Sequence, residues 1–166
     1  MKVKFFIAVA VLCSVVGCSD SKKDASATGL TESTTVGKDA KQLKNGGKSL
    51  SQLDSINGVR IVNGINKVSS KDGVTVHGWA VDEKTQSLAS AVYLVIDDKE
   101  FPATYGAPRA DVASALGGAK YTNSGFTAGV TVDKIGAGQH KLSVKVIGSD
   151  GITFYTQAEK VDLIIE

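Results

Sequence analysis

Apolar residues are distributed along this chain in three successive textures. Behind Lys2 and Lys4, residues Phe5 to Val16 form a short, nearly unbroken apolar run. It is too short to cross a bilayer as a helix, which takes about 20 residues. It fits the h-region of a secretory signal, with the two lysines as its n-region. From Ser19 to about Ser55 the chain is rich in Ser, Thr, Lys, Asp and Gly and has no aromatic residue. Leu30, Val36, Leu43, Leu50 and Leu53 stand isolated there, too little apolar surface to offset chain entropy. A flexible tether is expected, with a typical span of roughly 30–35 Å. Alternatively, Leu43, Leu50 and Leu53 mark a weak helix, although Gly46-Gly47 interrupts it.

From Ile56 onward the period is two. Val59 to Val62 starts the series, and Ser69 to Gly73 is a turn. Val74 to Val81 reads as a strand. Ala91 to Ile96 is apolar throughout, the texture of a central strand buried on both faces. Asp97 to Glu100 turns the chain into Phe101 to Tyr105, where Pro102 predicts an edge or bulge. Pro108 to Leu116 breaks the alternation and predicts a short helix, with Asp111 as cap and Gly117-Gly118 as stop. Gly125 to Val132 alternates again. So does His140 to Gly148, with Leu142, Val144 and Val146 on one face and Lys141, Ser143 and Lys145 on the other. Ser149-Asp150-Gly151 is a hairpin turn, followed by Ile152 to Thr156 and Val161 to Ile165. Short strands separated by frequent turns predict an all-β fold, an immunoglobulin-like β-sandwich with one short helix, preceded by a disordered tether.

Val15-Val16-Gly17-Cys18 closes the N-terminal run and resembles a bacterial lipobox. The resemblance implies cleavage before Cys18 and acylation of that cysteine, with two or three chains for stable anchoring. The expected organisation is residues 1–17 as lipoprotein signal peptide, 18–55 as acylated cysteine and linker, and 56–166 as the sandwich. Ser19 after the cysteine leans toward the outer membrane over the inner membrane. Cys13 leaves with the signal, so the folded part has no thiol for a disulfide, a nucleophile or a Cys-based zinc site. Lys2 and Lys4 are two of 19 basic residues against 17 acidic ones, so their removal leaves the charges balanced. A balanced surface gives no reason to expect nucleic acid as a partner.

The order of landmarks in the sandwich carries a second resemblance. Gly78-Trp79-Ala80 with Asp82, Ile96-Asp97-Asp98, Arg109 with Asp111-Val112-Ala113, Ser124-Gly125-Phe126, then Gly138 and His140, occur in sequence. This resembles a bacterial β-sandwich module of the Gly-Trp-Ala … Arg-x-Asp-Val … Gly-Phe … Gly-x-His kind, found in cell-envelope proteins and as extensions of glycan-handling enzymes. It implies an accessory or binding module without catalytic residues. Ala110 departs from the pattern, where proline is frequent.

Each candidate residue has a functional and a structural reading. Trp79, the only tryptophan, is either a sugar-stacking platform or a core residue between the sheets. Arg109 either binds a carboxylate or glycan through its fork or pins the helix-bearing loop by pairing with Asp111. Tyr105 and Tyr121 flank the helix in apparent loops and are expected to be exposed. The expected ligand site is therefore Trp79, Tyr105, Arg109, Asp111, Tyr121 and Asn123. Zinc would need His77 and His140 with Asp82 or Asp97, and calcium would need Asp97, Asp98 and Glu100, or the turn residues Asp72 and Asp150, to converge. Neither spacing is a recognisable motif, so no metal and no cofactor is expected. The reading is a non-enzymatic lipoprotein anchored to the membrane, presenting a module for a glycan or an envelope protein. A structural subunit of an envelope complex is the alternative, and a small envelope hydrolase the weaker one.

Overall fold

A computed structural model describes residues 43–62 and 64–166. The expected signal peptide, Cys18 and the expected tether up to residue 42 lie outside the described residues. The fold is an all-β sandwich of two sheets with little helix. The first sheet runs β3 (Val59–Arg60), β2 (Leu50–Ile56), β5 (Val74–Val81), β9 (Gly125–Val130), β8 (Thr104–Ala107), antiparallel throughout. The second is organised on the ten-residue β10 (Gly138–Ile147). β6 (Ala91–Ile96) lines one side of it from Leu142 to Ile147, and β7 (Lys99–Pro102) lies outside β6. The opposite side holds two shorter strands end to end: β12 (Val161–Ile165) along Gly138 to Leu142, and β11 (Thr153–Thr156) along Lys145 to Ile147. β1 (Lys44–Lys48) joins β11 in parallel, and β4 (Ile65–Val68) joins β12 in parallel.

Alternation explains the core. Val74, Val76 and Ala80 of β5 and Phe126, Ala128 and Val130 of β9 face Val92, Leu94 and Ile96 of β6, Leu142, Val144 and Val146 of β10, and Leu163 and Ile165 of β12. Gly78 keeps two strands close: a Cβ there would press on the Gln52 carbonyl and lie 2.7 Å from the Phe126 ring. β6 is buried on one face only, its other residues being half-exposed, so the expectation of burial on both faces is corrected. Its odd positions are apolar because they floor an outer surface. Pro102 ends the outer strand β7, as expected of an edge.

The linker boundary also moves. Residues 44–55, expected as tether or weak helix, form β1 and all of β2 but its last residue, Ile56. Leu53 and Ile56 both face the core, being 4% and 3% exposed. Three residues apart in a regular strand they would point to opposite faces, but the ladder slips at Asp54. This bulge restores a common face and hides the strand from a period-two reading.

The helix forms at α1 (Ala110–Ala115) and stops at Gly117, whose φ is +71°, with the Gly118 N–H donating to the Ala113 carbonyl at 2.9 Å. Asp111 is not its cap: Arg109 occupies that position and Asp111 lies in the first turn. A 3-10 turn follows at Ala119–Tyr121. Val132, expected to end a strand, instead opens the one-turn helix α2 (Val132–Ile135), which lays Val132 and Ile135 on the core.

Because β2 is the long partner of β5, a fragment starting at Ile56 should be unfolded, whereas residues 43–166 should melt cooperatively; far-ultraviolet circular dichroism with heating distinguishes them. Leu53→Ala should destabilise the domain by about 2–4 kcal/mol in denaturant titration.

Candidate functional site

The structure gathers Trp79, Arg109, Asp111 and Tyr121 in a knot on the outer face of the five-stranded sheet, whereas Tyr105 packs on the core between the sheets. Trp79 and Val81 point outward from β5, and the α1 segment folds over them. Val81, Ala113 and Tyr121 form a small second core, with Leu50, Trp79 and Leu116 packed against it. Trp79 is half-buried there, beneath α1 instead of between the sheets. Tyr121 is 7% exposed, contrary to its expected loop exposure. Tyr105 is likewise not in a loop. It belongs to β8, and its hydroxyl donates to the Ala80 carbonyl at 2.7 Å while accepting from the Ala89 N–H at 3.2 Å. Burial pushes its phenol above the ordinary value, against the Ala89 bond. The backbone period of Tyr105 was obscured by Pro102 and by the bulge at Gly106. Asn123 is exposed beside the knot.

Arg109 ties the knot. Its Nε and Nη2 donate to the two oxygens of Asp111 at 2.8 and 2.7 Å, and its Nη1 donates to Asp54 Oδ2 at 2.6 Å. Its side chain is 22% exposed, so the guanidinium is partly withdrawn from water. The Asp111 hydrogen bonds raise its pKa above an already high value, burial opposes them, and Asp54 adds to the rise. Asp111 is held at about 2, chiefly by the Arg109 bonds. Each of the three guanidinium nitrogens thus donates to a carboxylate of the domain itself. The glycine of the Ser124-Gly125-Phe126 motif makes room for it, since a Cβ on Gly125 would lie 3.0 Å from Arg109 Cγ.

Other candidate groups are similarly engaged. Asp82, 1% exposed, accepts from the Ser149 N–H at 2.8 Å, the Ser149 hydroxyl at 3.0 Å and the Thr85 N–H at 3.2 Å. Burial pushes its carboxyl up, and these donors outweigh it and hold it below the ordinary value. Asp150 accepts from Thr153 and Ile152 within its own turn and is held at about 2. His140 is buried, with Nδ1 2.5 Å from Asp97 Oδ2 and Nε2 3.2 Å from the Gly136 carbonyl. Both ring nitrogens lie against oxygens of the domain itself. Burial pushes Asp97 up, but the Lys141 N–H and the His140 ring together bring it below its usual value. His77 sits on the other sheet's outer face against the Thr127 hydroxyl, so the two histidines are not brought together. Among the described residues no three His, Cys, Asp or Glu side chains converge as metal ligands.

A groove that sequence reasoning missed lies on the outer face of the seven-stranded sheet. It encloses about 460 Å³ and is lined by Glu100, Ser143, Lys145, Phe154, Gln157 and Lys160, among others. Lys145 crosses it, its ammonium 2.7 Å from Glu100 Oε1 and 4.8 Å from the centre of the Phe154 ring. Gln157 Oε1 is buried and, among the described residues, has no hydrogen-bond partner. The outward alternation of Ser143 and Lys145 was the available signal, but it reads as an ordinary solvent face. A second depression beside Ile65, about 380 Å³, is bounded by Lys141 and Asp162, which pair with each other.

No family model matches this chain. No curated protein and no solved structure matches it either.

Removing the fork should loosen the α1 segment: Arg109→Ala should cost about 1–3 kcal/mol, between the values for exposed and buried pairs. Arg109→Lys should recover less than half of that, because an ammonium cannot hold both carboxylates in the same geometry. Asp82, Asp97, Asp111 and Asp150 are all depressed in the folded state. The stability they contribute is therefore complete above the ordinary carboxylate range and is lost as pH falls toward 2. Equilibrium unfolding between pH 5 and 2 checks the sign, and Asp111→Asn should flatten part of the slope.

Proposed function

We propose that this chain is a lipoprotein of the bacterial cell envelope, anchored through acylated Cys18, whose sandwich is a non-catalytic binding module with the groove on the seven-stranded sheet as its ligand surface. One observation carries the assignment of the surface. Most polar clusters in the domain are closed on themselves, while on the outer face of the seven-stranded sheet a depression of about 460 Å³ brings the half-buried Phe154 beside Ser143, Thr156 and Gln157.

Supporting the non-catalytic reading, the buried histidine has both nitrogens engaged. The anchor rests on the lipobox-like Val15-Val16-Gly17-Cys18, and Ser19 favours the outer membrane. A structural role in an envelope complex is the second reading. It is favoured by Ile65 on the outer strand β4 and by nearby Val62, 60% and 66% exposed, an edge that a partner strand can extend.

In the native bacterial host, the full chain should label with palmitate and partition with membranes, and Cys18→Ser should abolish both. A free thiol at Cys18 in the intact mass of the membrane-extracted protein would overturn the anchor.

A further inference from the structure

We infer that one flank of the sandwich is a contact surface for an anionic lipid bilayer, and that the domain rests this flank on the membrane that anchors it; this rests on the acylated Cys18. Connectivity defines the flank. β1 and β4 are outer strands on one side of the seven-stranded sheet, and β3 is an outer strand of the five-stranded sheet. Ser49 alone links β1 to β2, and residues 61–64 link β3 to β4, so the three edges lie on one side of the sandwich. A depression lined by Leu53, Val62, Ile65 and Val161, among others, runs between the two sheets there. β7 and β8, joined through Ala103, close the opposite flank.

Large apolar side chains are exposed on this flank alone. Among the described residues they are Leu43, Val59, Val62 and Ile65. Leu43 precedes β1, Val59 opens β3, Val62 follows it and Ile65 opens β4. Apolar exposure gathered in this way marks a contact surface, and the charges around it select the partner. Lys44, Lys48 and Arg60 stand on the same three edges, and no described carboxylate pairs with any of them. The acidic groups nearby are already engaged: Asp54 with Arg109, Asp162 with Lys141 and Glu166 with Lys67. Glu159 is offset by the adjacent Lys160, and Asp72 by Lys71. Apolar side chains among uncompensated cations suit the boundary between acyl chains and anionic headgroups.

Position along the chain favours the bilayer over a diffusing partner. Residues 19–42 separate Cys18 from Leu43; as the coil their composition predicts, they span roughly 25–30 Å. They enter the domain at Leu43, on the flank itself. A linker so short keeps the flank and the bilayer at an effective concentration on the order of mM. At that concentration a few half-inserted apolar side chains suffice, and each basic residue near an anionic surface adds about fivefold. A sandwich lying on its flank keeps both outer sheet faces, and with them the groove, open to solvent.

The test uses the full chain made in a bacterial host and reconstituted in vesicles of phosphatidylethanolamine and phosphatidylglycerol. With Cys18 acylated, one introduced cysteine is the sole thiol and takes a nitroxide: Val59→Cys, Val62→Cys or Ile65→Cys on the flank, Thr104→Cys on the opposite one. Electron paramagnetic resonance then reads collisions with a water-soluble nickel complex. Access at the three flank labels should be at least about threefold lower than at Thr104, and Val62→Asp should restore it at the Ile65 label. Flank labels as accessible as Thr104, or no response to Val62→Asp, overturn the inference while the anchor stands. Dipolar broadening between flank labels marks a second copy on this surface and overturns it likewise. A parent chain that takes label at Cys18, or that does not float with the vesicles, overturns the anchor and this inference together.

Discussion

The outer face of a sheet can carry apolar residues only if something covers them. In this sandwich Trp79 and Val81 set that requirement, and the stretch from Pro108 to Ser124 meets it by folding back across the strand ends. A cover of one short helix and a 3-10 turn has little cohesion of its own, since helices of this length are marginal in water. Arg109 supplies it by holding Asp111 at the head of the helix and Asp54 at the bulge of β2 in one planar fork. The same bulge lets Leu53 and Ile56 share a face. Core register, helix position and the burial of Trp79 therefore meet at one guanidinium.

Much of the fold could be read directly from alternation. β5, β6 and β12 fall on the residues expected, β5 through its alternation and β6 and β12 as short apolar runs bounded by polar residues. The reading failed where a local irregularity masks the period. The bulge at Asp54 made β2 look like scattered leucines, and β1, with sequence KNGGK and every residue exposed, has no apolar signal at all. Lengths of loops were legible; what lay over them was not. Tyr105 and Tyr121 look exposed in one dimension because the surfaces that bury them, Ala80 with Ala89 and the Trp79–Val81 face, arrive from distant positions.

The ordered landmarks that give the chain its family-like appearance turn out to be packing instructions. Gly78 makes room for Phe126, Gly125 for Arg109, Asp82 anchors the Ser149 turn, and Asp97 clasps His140. Residues that make such contacts specify a scaffold, and a scaffold is compatible with many ligands. The groove across the other sheet is built instead from positions that alternation assigns to solvent. That is where sequence reasoning is least informative and where a binding surface can change without disturbing the core.

The parallel seam between β1 and β11 has a mechanical corollary. Load entering from the N-terminal side reaches β1 before any other described strand, and β1 has no buried residue of its own. Peeling it away would lengthen the chain by about 15 Å before force is felt at Leu53 and the interior. Release of the first strand under such a pull would leave Leu53 and the interior in place.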